Sequence, residues 1–215
     1  LKLLHLSDTH GTMPPLSSDA DVIVHSGDIL PNRTFGIRPV EETFQRYWLE
    51  EHAAKIRTWI GSRPFLVCPG NHDFIDPTPY LRDAGVDAHS LCDRFLEIDG
   101  VRFYGYPWVP VFGPWNWMAS PRERLARLVP AVERMDAGEI DVFVAHGPMF
   151  GVLDRNAEGE RCGSRVLRDA LREARFAPKF LLHGHIHEAA GVQGWSRGMI
   201  VSNAARTQRV LEVST

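Results

Sequence analysis

Five short apolar runs in this chain each end, on their C-terminal side, in residues that carry chemistry. Leu1–Leu6 leads into Ser7-Asp8-Thr9-His10-Gly11, and Ala20–Ser26 leads into Gly27-Asp28. Phe65–Cys68 leads into Pro69-Gly70-Asn71-His72-Asp73. Ile140–Ala145 ends in His146-Gly147-Pro148, and Phe180–Leu182 in His183-Gly184-His185-Ile186-His187. Runs this short, bounded by Gly, Pro and Asp, read as buried strands. Arg94–Ile98 and Val101–Tyr104 add two strands around the hairpin signal Asp99-Gly100, and Met199–Ser202 and Arg209–Val213 add two more.

Helical patterns lie between the strands. Over Glu41–Ile60, Leu49, Ala53, Ile56 and Ile60 form one stripe, with Phe44 and Trp48 beside it. Gly61 and Pro64 stop that helix. Ser120-Pro121-Arg122-Glu123 is a capping box with Pro at the first helical position. Leu125, Leu128 and Val132 follow at helical spacing, and Pro130 predicts a kink or a split. Ser164 caps a helix that buries Leu167, Ala170, Leu171 and Ala174. Strands interleaved with helices and hairpins predict a layered α/β domain with a mixed sheet, one domain over residues 1–215. In such sheets ligands bind beyond the carboxyl ends of the strands, where the His and Asp clusters fall.

Composition excludes several classes. The 215 residues are 44% hydrophobic with a net charge of -3, which argues against disorder. No apolar run approaches the roughly 20 residues of a membrane helix. A near-neutral balance gives no support for stable nucleic-acid binding through bulk charge. Cys68, Cys92 and Cys162 are too far apart for a disulfide framework or a zinc ribbon. With no apolar leader at the N-terminus, the cytoplasm is the expected compartment, although the first residue is not Met and a trimmed leader stays open.

Taken singly, each polar cluster reads as well or better as a turn or a solvated loop, and for Asp8-x-His10 the turn is favoured. Their conjunction at five strand ends is the signal. Two carboxylates, one amide oxygen and four imidazoles exceed what one tetrahedral ion takes and suit two ions sharing a carboxylate. Mixed imidazole and carboxylate ligation favours Mn, Fe, Ni or Zn over Mg or Ca. Two such ions can clamp the oxygens of an in-line displacement at phosphorus.

The set Asp8-Thr9-His10, Gly27-Asp28, Gly70-Asn71-His72-Asp73, His146-Gly147 and Gly184-His185-Ile186-His187 resembles the calcineurin-like metallophosphoesterases, block for block and in the same order. The resemblance implies two packed mixed β-sheets flanked by helices. It also implies two divalent transition-metal ions: Asp8, His10 and His187 on the first, Asn71, His146 and His185 on the second, and Asp28 bridging. His72 would stabilise the scissile phosphate and protonate the leaving oxygen. Asp73 would either orient His72 or serve as a turn residue.

Tyr104-Gly105-Tyr106-Pro107-Trp108, His146-Gly147-Pro148 with Gly151-Val152-Leu153-Asp154, and His183 to Glu188 are similar to a smaller subgroup, the metallophosphoesterase-domain-containing proteins, itself similar to bacterial class III cyclic-nucleotide phosphodiesterases. That likeness implies hydrolysis of a small phosphodiester, cyclic nucleotides among them, by direct attack of a bridging hydroxide. A phosphomonoesterase acting on a nucleotide or small phosphorylated metabolite, and a non-catalytic scaffold, are the alternatives. Gly27-Asp28 is followed by Ile29-Leu30-Pro31-Asn32-Arg33 and lacks the Asp-Arg pair of phosphoprotein phosphatases.

The Pro- and Trp-rich stretch Tyr106–Met118 reads as a rigid loop with buried aromatics, as an aromatic wall beside the metals, or as a surface for homodimerisation. His5 and His25 read as core histidines, and Asp154 as a surface turn or a carboxylate behind a metal-bound His.

Overall fold

The computed structural model describes residues 1–17 and 19–214. Its elements are β1 (Lys2–Leu6), β2 (Val22–His25), α1 (Arg38–Ile60), β3 (Phe65–Val67), α2 (Thr78–Asp83), β4 (Ala88–Ser90), β5 (Phe95–Ile98) and β6 (Val101–Tyr106). They continue with α3 (Pro121–Asp136), β7 (Val142–Ala145), α4 (Arg165–Glu173), β8 (Phe180–His183), a 3-10 turn (His187–Ala189), β9 (Gln193–Ser196), β10 (Met199–Asn203) and β11 (Gln208–Glu212).

The strands form two mixed sheets. One has the order β11-β1-β2-β3-β4, the other β5-β6-β7-β8-β10-β9. β1 to β4 run parallel, as do β6, β7, β8 and β10, and the antiparallel strands β11, β5 and β9 lie at edges.

Strand alternation sorts the core into three parts. Leu3, Val22, Val24 and Leu66 face Phe103, Val142, Val144 and Leu182 between the sheets. Leu4, Ile23, Phe65 and Val67 turn the other way onto Leu49, Ile56 and Ile60 of α1. On the outer face of the second sheet, Tyr104, Phe143, Leu181 and Val201 pack against Leu128, Ala131 and Met135 of α3 and Leu167, Ala170 and Leu171 of α4. The result is helix, sheet, sheet, helix, the architecture that the resemblance implied. His5 ties the sheets together inside the core, with Nε2 at 2.9 Å from Ser26 Oγ and Nδ1 at 3.1 Å from Ser202 Oγ.

The helices depart from expectation in instructive places. α1 starts at Arg38, because Pro39 suits the first turn, where its missing N–H costs nothing. The α3 capping box is present in full. α3 runs through Pro130 without a split, and Pro130 is exposed, so water can serve the carbonyl that loses its donor. Leu125 is 56% exposed rather than core, because the buried stripe is Arg124, Leu128, Ala131 and Met135. α2, β4 and β9 had no counterpart in the sequence reading; they are short, and β9 is a polar edge strand. No helix among the described residues is long and apolar enough to cross a membrane.

Candidate metal centre

The loops after β1, β2 and β3 in the first sheet meet the loops after β7 and β8 in the second. Backbone bonds weld them: Asp8 N donates to Gly27 O at 2.9 Å, Gly184 N to His146 O at 3.0 Å and Arg206 N to Ser7 O at 3.0 Å. The turns are sharp. Asp8 (φ 55°), His10 (φ 45°), Asp28 (φ 57°) and His185 (φ 67°) all sit in the left-handed region. Backbone strain of this kind concentrates where a site must aim side chains. The space is equally tight. A Cβ on Gly70 would lie 2.2 Å from Asp28 Oδ1, and one on Gly184 2.0 Å from Asp8 Oδ2.

Two ligand groups result. Asp8, His10 and His187 each bring a ligand atom within 4.8 Å of the others, and so do Asp8, Asp28 and His146. His187 Nε2 lies 3.2 Å from Asp8 Oδ1. Asp28 Oδ2 stands 3.4 Å from His146 Nε2 and 4.0 Å from His10 Nε2, so one carboxylate faces both groups. Asn71 Oδ1 is 2.9 Å, and His185 Nδ1 3.2 Å, from the same His146 Nε2. All seven expected ligand residues are thus gathered in one place, and Asp8 belongs to both groups.

The chemistry of this donor set fits cations. His146 Nδ1 lies 2.9 Å from Ser26 O, an acceptor only, so Nδ1 carries the proton and Nε2 turns its lone pair inward. There it meets the lone pairs of Asn71, Asp28 and His185. A single proton on an imidazole or a carboxylate relieves only part of that crowding, whereas a divalent ion satisfies the whole set. The pKa values record the same demand. Burial opposes a charge on His146, but Asp28 and Asp8 overcome it and hold the imidazole up at about 9. Burial also opposes ionisation of Asp8 and Asp28. His187 and His146 nevertheless keep Asp8 at about 2, and His146 keeps Asp28 well below the usual carboxylate range.

His72 is beside the ligands, with its ring 5.0 Å from that of His10. Burial lowers its pKa. Asp73 corrects one expectation, since its carboxylate does not touch the His72 ring. Instead it accepts from the backbone N–H groups of Asp28 (2.9 Å), Leu30 (2.8 Å) and Gly70 (2.8 Å), and so shapes the loops that carry Asp28 and Asn71. The reason is geometric: the turn brings Asp73 N to Gly70 O at 3.0 Å and folds the side chain inward beneath the loop. The partner of His72 is Asn32, with Oδ1 at 2.6 Å from Nδ1.

Sequence reasoning missed a polar stripe at the start of α1. Glu41 is buried and accepts from Arg33 N at 3.0 Å and from Asn32 Nδ2 at 3.3 Å. Gln45 donates to His72 O at 2.7 Å and accepts from Phe74 N at 2.7 Å. Glu41 and Gln45 continue the four-residue spacing of Leu49 and Ala53, which was the available signal.

The loop after β6 borders the centre. Trp117 Nε1 donates to Asp73 O at 2.6 Å and Asn116 N to Asn71 O at 3.0 Å, stapling it to the ligand loop. Trp108, Trp115 and Trp117 are half-buried, but Val111 and Phe112 stay exposed at 66% and 54%. The Trp115 ring lies 4.0 Å from that of His72, and the Phe112 ring 5.4 Å from that of His185. On another side, Asp8, Thr9, His10, Thr12 and Arg206 line a cavity of about 340 Å³.

Comparison with known proteins agrees with this geometry. The family model described as calcineurin-like phosphoesterase matches residues 1–189. Human metallophosphoesterase domain-containing protein 1 is 25% identical over 220 residues, covering 87% of this chain and 60% of that protein. The chain therefore spans less than two thirds of that relative's length. A UPF0046 protein of Caenorhabditis elegans is 28% identical over 219 residues, covering 89% of this chain and 70% of its own. Among solved structures, GAP50, the anchor in the inner membrane complex of Plasmodium, shares the fold with a TM-score of 0.54 at 12% identity, over 95% of this chain and 71% of that one.

Proposed function

This chain belongs to the calcineurin-like phosphoesterases, and from that premise we propose that it is a two-metal phosphodiesterase acting on a small phosphodiester. The observation that carries the reading is the position of Asp28 Oδ2, 3.4 Å from His146 Nε2 and 4.0 Å from His10 Nε2. A carboxylate so placed is suited to bridging two ions. Asp8, His10 and His187 would hold one; Asn71, His146 and His185 would hold the other. Two divalent ions bound there supply Lewis-acid charge to the phosphoryl group and acidify water at neutral pH.

The rest falls to the chain's own residues. His72 turns a ring toward the same space and would give a proton to the departing ester oxygen. Asp8 and Asp28 remove part of the metal charge. With one hydroxide counted, roughly one positive charge remains, which matches the single negative charge of a diester better than the dianion of a monoester. Phe112 and Trp115 offer aromatic faces beside the centre for a planar group on the ester.

Metal-stripped protein titrated with Mn tests the two-metal part. Activity on bis-p-nitrophenyl phosphate should rise until two ions are bound per chain. Full activity in the presence of chelator would overturn it.

A further inference from the structure

We propose that Asn32 is the positioning residue for His72, fixing both the tautomer of its ring and the direction in which it presents Nε2. The inference rests on the reading of His72 as the proton donor. It concerns a residue outside the recognised motifs, on the loop between β2 and α1.

An amide can be placed either way round, so its neighbours must decide. Asn32 Nδ2 lies 3.0 Å from His72 O and 3.3 Å from Glu41 Oε2. Both are acceptors, so the NH2 group must face them. The oxygen is then left to face His72 Nδ1, at 2.6 Å. A carbonyl oxygen only accepts, so His72 must carry its proton on Nδ1. Nε2 has no protein partner among the described residues and is the ring atom presented to a substrate; the proton it passes to the leaving oxygen is one it has first taken from water, so the ring ends the step again in the Nδ1–H form that Asn32 holds. A flipped amide could still donate to an unprotonated Nδ1, but it would set its oxygen against the two acceptors His72 O and Glu41 Oε2 and lose both of those bonds.

The surroundings hold this arrangement in place. Glu41 fixes the loop around Asn32 by accepting from Arg33 N, Thr34 N and Thr34 Oγ1. Gln45 Nε2 reaches His72 O at 2.7 Å, and His72 N donates to Asp28 Oδ1 at 2.7 Å. The ring is bounded by His10 at 5.0 Å and by Trp115 at 4.0 Å. A chain of contacts therefore runs from the first turns of α1 through Asn32 to the ring beside the candidate metal ligands. An asparagine gives direction without adding a further negative charge to a centre that already holds Asp8 and Asp28.

The test uses protein carrying 15N-labelled histidine, both metal-free and loaded with diamagnetic zinc. Long-range 1H–15N spectra at mildly alkaline pH read the tautomer of His72 directly. The expected result is the Nδ1–H form in the wild type, a tautomer mixture in Asn32→Ala, and recovery of the Nδ1–H form in Asn32→Asp, which keeps the acceptor. Turnover of bis-p-nitrophenyl phosphate by Asn32→Ala should lose about 10- to 100-fold in kcat with KM little changed, the scale of losing an orienting partner. An Nε2–H tautomer in the wild type overturns the proposal even if no variant folds. So does an Asn32→Ala protein with wild-type tautomer and kcat. If the wild type shows the Nδ1–H form but turns over no phosphodiester, the positioning stands and the phosphodiesterase reading fails.

Discussion

His146 Nε2 stands 3.4 Å from Asp28 Oδ2, although Asp28 follows β2 in one sheet and His146 follows β7 in the other. Neither sheet alone makes the candidate centre; their seam does. Asp28→Asn removes the charge that faces both imidazole groups and keeps the shape. Binding of the second metal equivalent and hydrolysis should both be lost, as read by isothermal titration and initial rates. A variant that still binds two ions with wild-type affinity would show that Asp28 does not bridge.

Gly184 tests how closely the ligand loops approach each other. A Cβ there would sit 2.0 Å from Asp8 Oδ2 and from Ser7 Oγ. Since His185 N also donates to Asp8 Oδ2 at 3.0 Å, Gly184→Ala should displace the carboxylate and weaken metal affinity at least about tenfold. Competition with a chelating dye measures it. Wild-type affinity would mean that the loop yields without cost.

Much of this was readable in the chain. The strand ends that carry Asp8, Asp28, Asn71, His146 and His185 are marked by short apolar runs that stop at Gly, Pro or Asp, and such punctuation is local. Pairing across the seam is not local. Asp73 and Asn32 lie 41 residues apart in sequence, and only the folded loops decide which of them meets His72. Glu41 and Gln45 stayed hidden for a related reason: a polar residue on a buried stripe looks like a solvated face until the loop above it is in place.

The structure predicts how the metal-free protein responds to acid. Burial holds His25 at about 3, His183 at about 4 and His5 well below 6.5. Folding therefore keeps these rings neutral while the unfolded chain binds protons. Their contribution is complete above pH 6.5 and is lost as pH falls toward the folded values, at about 1.4 kcal/mol per pH unit for each ring. Asp73, raised to about 7 by burial and by Asp28, takes up a proton on folding and offsets one of them. Urea unfolding at stepped pH should show a midpoint that falls steadily below pH 6.5. A flat profile would contradict the buried neutral histidines.

Glu41 carries the loop that precedes α1. Glu41→Ala leaves the Arg33 and Thr34 amides without their carboxylate, which should cost about 2–3 kcal/mol of stability. A melting temperature equal to that of the wild type would show that the loop rehydrates freely.

Phe112 is exposed beside His185, so its removal should fold normally and touch only recognition. Phe112→Ala should raise KM for a diester bearing a planar ring by about tenfold, the weight of one stacked base, whereas Phe112→Trp should keep it. Equal KM values for all three proteins would remove the aromatic wall from substrate binding.

The most direct test compares bis-p-nitrophenyl phosphate with p-nitrophenyl phosphate at equal concentration on Mn-reconstituted protein, with Asp28→Asn as the blank. The account predicts clear preference for the diester and no rate in the blank. Preference for the monoester, or equal rates with and without Asp28, would contradict it.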